Sequence, residues 1–515
     1  MTTTSKHYDV VVLGADIGAL AAAALLARRS WRVLVLGHGY RRSSYTYDGL
    51  ALARRPFTFL SASSPAWGRV LVELAQSQTF RRRLSSLDPM LQILGSDLRL
   101  DLPPDTQLFA REIDREFPAV RRVVDDLYTD LARTNASADA AFERDAVWPP
   151  GGFWERRETS RVAATLPYLD GSDFLAEFPR DHAFRDVVTT PARFASDLAD
   201  NDLCAFALAR LHGAWTRGVS HLSGGEDELV DFLLDRVRAH GGETRLAERA
   251  SALTHKGGKV RGVHIDGDET PVGVTFVVSD LPSPALLELA RAFDPARPEK
   301  APSVEIADQR FVVSIVARPE GLPAPLATES FLLPKRGPRV HLQRSPLATP
   351  GTALLVAEAF VDGPVKSARK EVLGTVLEML PFLERHVLVV DSPHDGLPLW
   401  DFRRPTPADP RIGEKAWDLR AQLVDRARIR ASGGSLEAEP MIPRYRVSPM
   451  QLGGLGGEPL RTALGNVFVT GRSVLPALGQ EGELLAAWGV ARVITRTDKR
   501  KEKMLREMWS KVELS

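Results

Sequence analysis

At 515 residues the chain is long enough for more than one hydrophobic core. Its 44% hydrophobic and 26% charged content is that of a soluble globular protein, not a disordered or fibrous one. A formal net charge of +1 gives no electrostatic reason to expect a nucleic-acid partner. The single cysteine, Cys204, excludes internal disulfides and cysteine-ligated metal clusters, fits a reducing compartment, and reads as a small buried residue in a helical stretch.

The first seven residues lead straight onto an apolar strand without the layout of a secretory signal. The apolar block 17–27 is too short to span a bilayer and is closed by Arg28 and Arg29, so a cytoplasmic protein is expected. An apolar strand over 10–13, a turn of small residues, an alanine-rich helix over 18–28 and a second apolar strand over 33–36 make a βαβ unit. In such a unit the turn presents backbone N–H groups and a helix N-terminus to a pyrophosphate. A polar loop follows over 37–47. Helical spacing runs over 64–80, and Arg81 to Arg83 form a solvated face. A piece over 91–102 is extended, and one or two amphipathic helices cover 106–135.

After the break at Trp148-Pro149-Pro150, helical pattern runs over 175–214. A glycine-led turn at Ser223-Gly224-Gly225 then opens a helix with acidic residues in its first turn and glycine at its end. Short strands over 243–246, 252–255, 260–265 and 273–278 follow, with a hairpin turn at Lys256-Gly257-Gly258. Another helix follows 279–284. Alternating strands occupy 311–317, 330–333, 340–343 and 353–360, then a helix over 368–380 and a strand over 386–390. Proline-marked connections lie at 282–302 and 405–410, and a strand, a glycine-rich loop and a helix close the folded part over 465–494.

Three blocks in this order resemble the FAD-dependent oxidoreductases of the phytoene desaturase and flavin amine oxidase superfamily. They are the opening βαβ unit, the block from Ser223 to Val278, and the closing segment from Gly471 to Leu485. The resemblance implies an α/β fold: a Rossmann-like FAD/NAD(P)-binding domain with an inserted mixed-sheet and helical (α+β) substrate domain. It places the FAD domain in 1–70, 215–300 and 440–497 and the substrate domain in 71–214 and 301–439, leaving 498–515 as a basic amphipathic tail. It also implies FAD as cofactor, substrates that are apolar polyenes or amines, and cofactor-binding positions at Gly14, Asp16, Gly18, Ala19, Gly37, Ala250, Gly471, Arg472, Leu478, Gly479, Glu481 and Gly482. Ala250 belongs to the strand expected near the adenine. No catalytic side chain and no metal ligand is expected, because the flavin carries hydride chemistry.

The sequence departs from the family's Gly-x-Gly-x-x-Gly pattern, reading Gly14-Ala15-Asp16-Ile17-Gly18-Ala19. Ala19 is tolerable, because its position only has to allow close helix packing. Asp16 replaces the glycine that lets backbone approach the pyrophosphate. One like-charge pair at about 4 Å and an effective dielectric near 20 costs roughly 4 kcal/mol. The acidic residue that grips the ribose falls at Gly37, a loss of roughly 1.5–3 kcal/mol. The Gly-Gly that usually follows is replaced around Arg41 to Ser44, although Arg41 or Arg42 offers compensating phosphate contacts. Together the losses approach roughly 6 kcal/mol, about ten-thousand-fold in affinity, so FAD is expected to be weakly held or lost.

Asp16 has a second reading. A carboxylate at a helix N-terminus satisfies orphan N–H groups, worth roughly 0.5–2 kcal/mol, which would let Asp16 occupy the anion site itself. Arg472 reads either as a phosphate or ribityl contact or as the partner of a carboxylate such as Asp16. Glu481 and Glu483 read as N-terminal caps of the closing helix. His212 and His221 read as surface or satisfied core histidines. In the tail, Met504, Leu505, Met508, Trp509 and Val512 share one helical face opposite a basic one, which suits a partner, a membrane surface or the chain's own domain. The functional expectation is an oxidoreductase-like fold with a weakened FAD site, a pseudoenzyme or atypical flavoprotein that binds an apolar small molecule or a protein partner. The alternative is an active FAD-dependent desaturase, isomerase or amine oxidase.

Overall fold

The computed structural model describes residues 6–169, 173–199, 203–290, 303–403, 420–430, 432–499 and 501–503. The opening unit forms as its periodicity predicts: β1 (His7–Leu13), α1 (Ile17–Arg28) and β2 (Val33–Leu36), with the strands parallel and Val10 opposite Val33. Val10 to Leu13 and all of β2 are buried, as strands covered on both faces must be. Ala21 to Ala24 are fully buried as well. Side chains this small let α1 lie close against the helices Gly225–Ala239 and Gly479–Thr495.

Among the described residues, β1 and β2 sit inside a seven-stranded sheet. Its order is Ala250–Lys256, Lys259–Ile265, Val272–Ser279, β1, β2, Glu243–Arg245. Val467–Val469 pairs with the end of Val272–Ser279. The hairpin at Gly257 and Gly258 takes φ of +59° and +69°, which glycine adopts without strain. A second sheet, of ten strands among the described residues, is built around the long strand Ser303–Ala317. The first half of that strand pairs with Ile442–Ser448, and the second half with Ala353–Val361 and Val387–Asp391. The extended piece near 91–102 is a hairpin, Leu91–Gly95 with Leu98–Leu102, on the far edge of this sheet.

The helical pattern over 64–80 resolves into Pro65–Glu73 and Ser77–Arg81, and that over 175–214 into Ala183–Ala195 with Ala205–Thr216. Parts of both proline-marked connections, 291–302 and 404–419, and the tail beyond 503 lie outside the described residues. No helix among the described residues is long and apolar enough to cross a membrane.

The carboxyl ends of β1, β2 and Val272–Ser279 meet at one edge of the first sheet, beside the N-terminus of α1. In parallel α/β sheets this is where ligand crevices form. Ile442–Ser448 of the second sheet faces the same space through Ile442, Pro443 and Tyr445.

Candidate functional site

The turn after β1 is held by backbone geometry first. Gly14 has φ of +104°, and a Cβ there would fall 1.9 Å from the Asp280 carboxylate. Glycine at this position therefore does two things: it permits the turn, and it leaves room for that carboxylate. Asp280 follows directly on Val272–Ser279, whose register puts Leu13 opposite Ser279. Its own N–H donates to the Leu13 carbonyl at 3.1 Å.

The Asp280 side chain accepts the N–H of Asp16 at 3.0 Å and also that of Ala15. Glu483 accepts the N–H of Gly18 at 3.3 Å. The N–H groups that open α1 thus point at two carboxylates supplied from distant parts of the chain. This corrects the expectation that Asp16 fills the anion site: Asp16 is the N-cap residue of α1, but its side chain makes no capping hydrogen bond. It turns instead toward Arg472, whose Nε lies 3.3 Å from Asp16 Oδ2, as the ion-pair reading of Arg472 anticipates. Arg472 also faces Asp197 at 3.6 Å.

The closing segment packs on this turn through contacts that leave no space for a Cβ. One at Gly18 would lie 2.4 Å from the Thr470 carbonyl oxygen, and one at Gly471 2.1 Å from that of Asp280. Gly479 and Gly482 come equally close to the carbonyls of Ala195 and Leu475, and Ala19 and Leu478 are buried. Glu481 does not cap its helix. Its carboxylate is buried on Arg210, at 2.6 and 2.7 Å, and accepts the Ser64 hydroxyl at 2.6 Å. Glu483, expected to cap the closing helix, caps α1 instead.

At the end of β2, a Cβ on Gly37 would lie 2.0 Å from the Leu246 carbonyl oxygen, so the position expected to carry an acidic residue has no room for any side chain. His38 comes next and accepts the N–H of Ala250 at 3.2 Å. Arg41 and Arg42 do not turn to the turn after β1: they pair with Glu439 and Asp231 at 2.8 and 2.7 Å. The acidic first turn of Gly225–Ala239 holds the intervening loop. Glu226 binds Arg55 at 2.5 Å, and Asp227 accepts from Tyr40 and from the Ser43 N–H.

A cavity of about 580 Å³ lies over this turn, lined by Gly14, Asp16, Gly37, Tyr40, Asp280 and Arg472 on one side and by Val304, Ile306, Met441 and Tyr445 on the other. Four of the positions expected to bind a cofactor (Gly14, Asp16, Gly37 and Arg472) line it, while Ala250 stands behind His38. Beyond Arg55 and Arg472 a smaller cavity of about 90 Å³ is bordered by Arg310, Glu358, His341, Asp197, Phe194 and Trp215. Burial by itself lowers the proton affinity of His341, but hydrogen bonds to Glu329, at 2.7 Å, and to Glu358 outweigh it and hold its pKa at about 9. The wall here is a network of buried charges, in contrast to the apolar surface expected for a polyene. None of Arg55, Asp197, Arg310 and His341 stands in a motif, and their roles depend on pairings between the two sheets. Elsewhere, His212 is a buried core histidine whose Nε2 lies 3.0 Å from the Tyr128 hydroxyl, and burial holds it neutral.

Burial, and then the charge of Asp16, push the Asp280 carboxyl well above the usual carboxylate range. Burial likewise raises Glu483, against the pull of Arg472. Each therefore binds a proton more tightly folded than unfolded. Their contribution to stability is complete below the unfolded value near 4 and is lost as pH rises through the folded values of about 8. The melting temperature should accordingly fall between about pH 5 and pH 9, and the variant Asp280→Asn/Glu483→Gln should show a visibly flatter profile. A pH series of thermal melts checks this, and an unchanged slope in the variant would contradict the assignment.

No family model matches the sequence, and no curated protein matches it. Solved structures do match. An oxidoreductase from Methanosarcina mazei aligns at 16% identity and TM-score 0.56, covering 94% of this chain and 99% of its own. A triple mutant of putrescine oxidase from a structure-based redesign of cofactor binding aligns at 17% and TM-score 0.54, covering 96% and 99%. A protein from Pyrococcus furiosus aligns at 15% and TM-score 0.51, covering 94% and 97%. At these identities the likeness is one of fold.

Proposed function

We propose that this chain, which has the fold of the FAD-dependent oxidoreductases, is a non-catalytic or atypical protein of that fold whose hold on FAD is weakened or lost. The observation that carries this reading is the pairing of the turn's N–H groups with Asp280 and Glu483. A pyrophosphate needs those donors. To reach them it must displace two carboxylates and approach Asp16, whose charge Arg472 only partly offsets. The ribose end is no better provided, since Gly37 is sealed against Leu246 and Arg41 and Arg42 are committed elsewhere. The residues present do not fit the anionic half of the cofactor.

The cavity of about 580 Å³ remains available, with Leu281, Val304, Ile306 and Met441 in its walls. It suits an apolar small molecule without phosphate groups better than a dianion. A second reading, an active FAD-dependent oxidoreductase, is favoured by the raised proton affinity of Asp280 and Glu483: once neutral, both repel a phosphate less. Titration of the purified protein with FAD at about pH 6 and about pH 8.5 separates the two, the pH values bracketing those pKa shifts. The expected result is colourless protein with no saturation at micromolar FAD at either pH. Saturable binding at about pH 6 would support the enzyme.

A further inference from the structure

The helix Phe153–Ala163 follows the Trp148-Pro149-Pro150-Gly151-Gly152 break and presents two large aromatic side chains to solvent. Phe153 is 72% exposed and Trp154 71%, and their rings touch edge to face with centroids 5.3 Å apart. The arrangement is held from behind. Glu155 accepts the N–H groups of Gly151 and Gly152 at 2.8 Å each and takes both arms of Arg461, at 2.8 and 2.8 Å. The Arg461 hydrogen bond, helped by the two backbone donors, lowers the Glu155 pKa to about 2 despite partial burial, so the helix start stays locked across physiological pH. Thr159 and Val162 bury the opposite face.

Charge on the exposed face is predominantly positive. Arg156, Arg157 and Arg161 are exposed, and Arg157 lies 5.9 Å from the centre of the Trp154 ring. Among the acidic residues of this neighbourhood, Glu155 is matched by Arg461, while Glu158 and Asp145 share the single charge of Arg492, so the three exposed arginines are offset by one carboxylate charge only. Arg461 and Arg492 come from elsewhere in the chain, so the patch carries a positive surplus around an apolar tip. Burying Phe153 and Trp154 in the chain's own core would have been favourable, and nothing in the described fold covers them.

We propose that this patch docks the protein on an anionic membrane surface, with Phe153 and Trp154 inserted at the level of the headgroups and Arg156, Arg157 and Arg161 on lipid phosphates. Tryptophan and phenylalanine favour the membrane–water boundary, and each arginine near an anionic surface adds attraction that salt screens. Charge complementarity selects this occupant over an apolar protein face, which would leave the surplus positive charge of the three arginines without a counter-charge. The patch is distant in sequence from the tail at 498–515, and, on the function proposed above, it would bring the cavity to the source of an apolar ligand.

The test is cosedimentation of the full-length protein with vesicles of phosphatidylcholine alone or with about a third phosphatidylserine. Wild type should bind the anionic vesicles more tightly than the neutral ones, with the preference reduced by salt. Phe153→Ser/Trp154→Ser should weaken binding to both by roughly tenfold to a hundredfold, while its unfolding midpoint stays near wild type, because the side chains are exposed. Arg156→Gln/Arg157→Gln/Arg161→Gln should remove the anionic preference, roughly fivefold per arginine. Wild-type protein that ignores both vesicles overturns the proposal. So does undiminished binding by the Phe153→Ser/Trp154→Ser variant, which would assign the contact to the tail.

Discussion

The double substitution Asp16→Gly/Asp280→Ala is expected to raise the affinity for FAD by roughly a hundredfold to a thousandfold. Relieving one like-charge contact at an effective dielectric near 20 is worth about 4 kcal/mol, which corresponds to that gain. Both residues have to change, because they oppose the pyrophosphate differently. Asp280 occupies the N–H groups of Ala15 and Asp16, whereas Asp16 projects charge into the cavity and ties up Arg472. Removing both leaves Arg472 unpaired on that side and the turn free to receive an anion. Fluorescence titration reads the outcome. A folded double variant that binds FAD no better than wild type would mean that the turn is not where affinity is limited. Restoring an acidic residue at Gly37 is not a useful companion change, because its Cβ would strike the Leu246 backbone.

Arg210→Met is expected to cost about 3–5 kcal/mol of stability, the range for breaking one side of a buried ion pair. Arg210 and Glu481 are both buried, and Arg210 also reaches Asp139 at 2.7 Å and the Asn135 side chain at 3.0 Å. Without the guanidinium, Glu481 keeps only the Ser64 hydroxyl. The companion Arg210→Met/Glu481→Leu replaces the pair with apolar groups and should recover most of the loss. Denaturant midpoints of Arg210→Met, Glu481→Leu and the double variant complete the cycle. Equal destabilisation of Arg210→Met and the double variant would show that the pair's charge is not what matters. A large effect here would show that Glu481 anchors the closing helix to Ala205–Thr216.

The frame of the molecule was legible because its signals are local. Four buried valines and leucines, a small-residue turn and a run of alanines specify β1, the turn and α1 wherever the rest of the chain goes. Gly257-Gly258 specifies its hairpin in the same way. The pairing of Arg472 with Asp16 was also within reach, since both motifs pointed to the same anion. Asp280 was not. It follows an ordinary strand 264 residues after Asp16, and only the parallel register of Leu13 with Ser279 carries it to the turn. The available signal was a carboxylate placed directly after the strand that neighbours β1. Glu481 and Glu483 look alike in sequence, two residues apart on one helix, yet helical geometry sends one to Arg210 and the other to Gly18. The vacancy expected at Gly37 proved to be a packing contact, which no reading of β2 alone reveals.

The N–H groups of the βαβ turn are taken up by the chain's own carboxylates. A crystal structure of the wild-type protein grown in millimolar FAD tests this most directly. The expected result is Asp280 still accepting the Ala15 and Asp16 N–H groups, Glu483 still on Gly18, Asp16 on Arg472, and no pyrophosphate on the turn. A pyrophosphate seated on those N–H groups, with Asp280 turned aside, would contradict it.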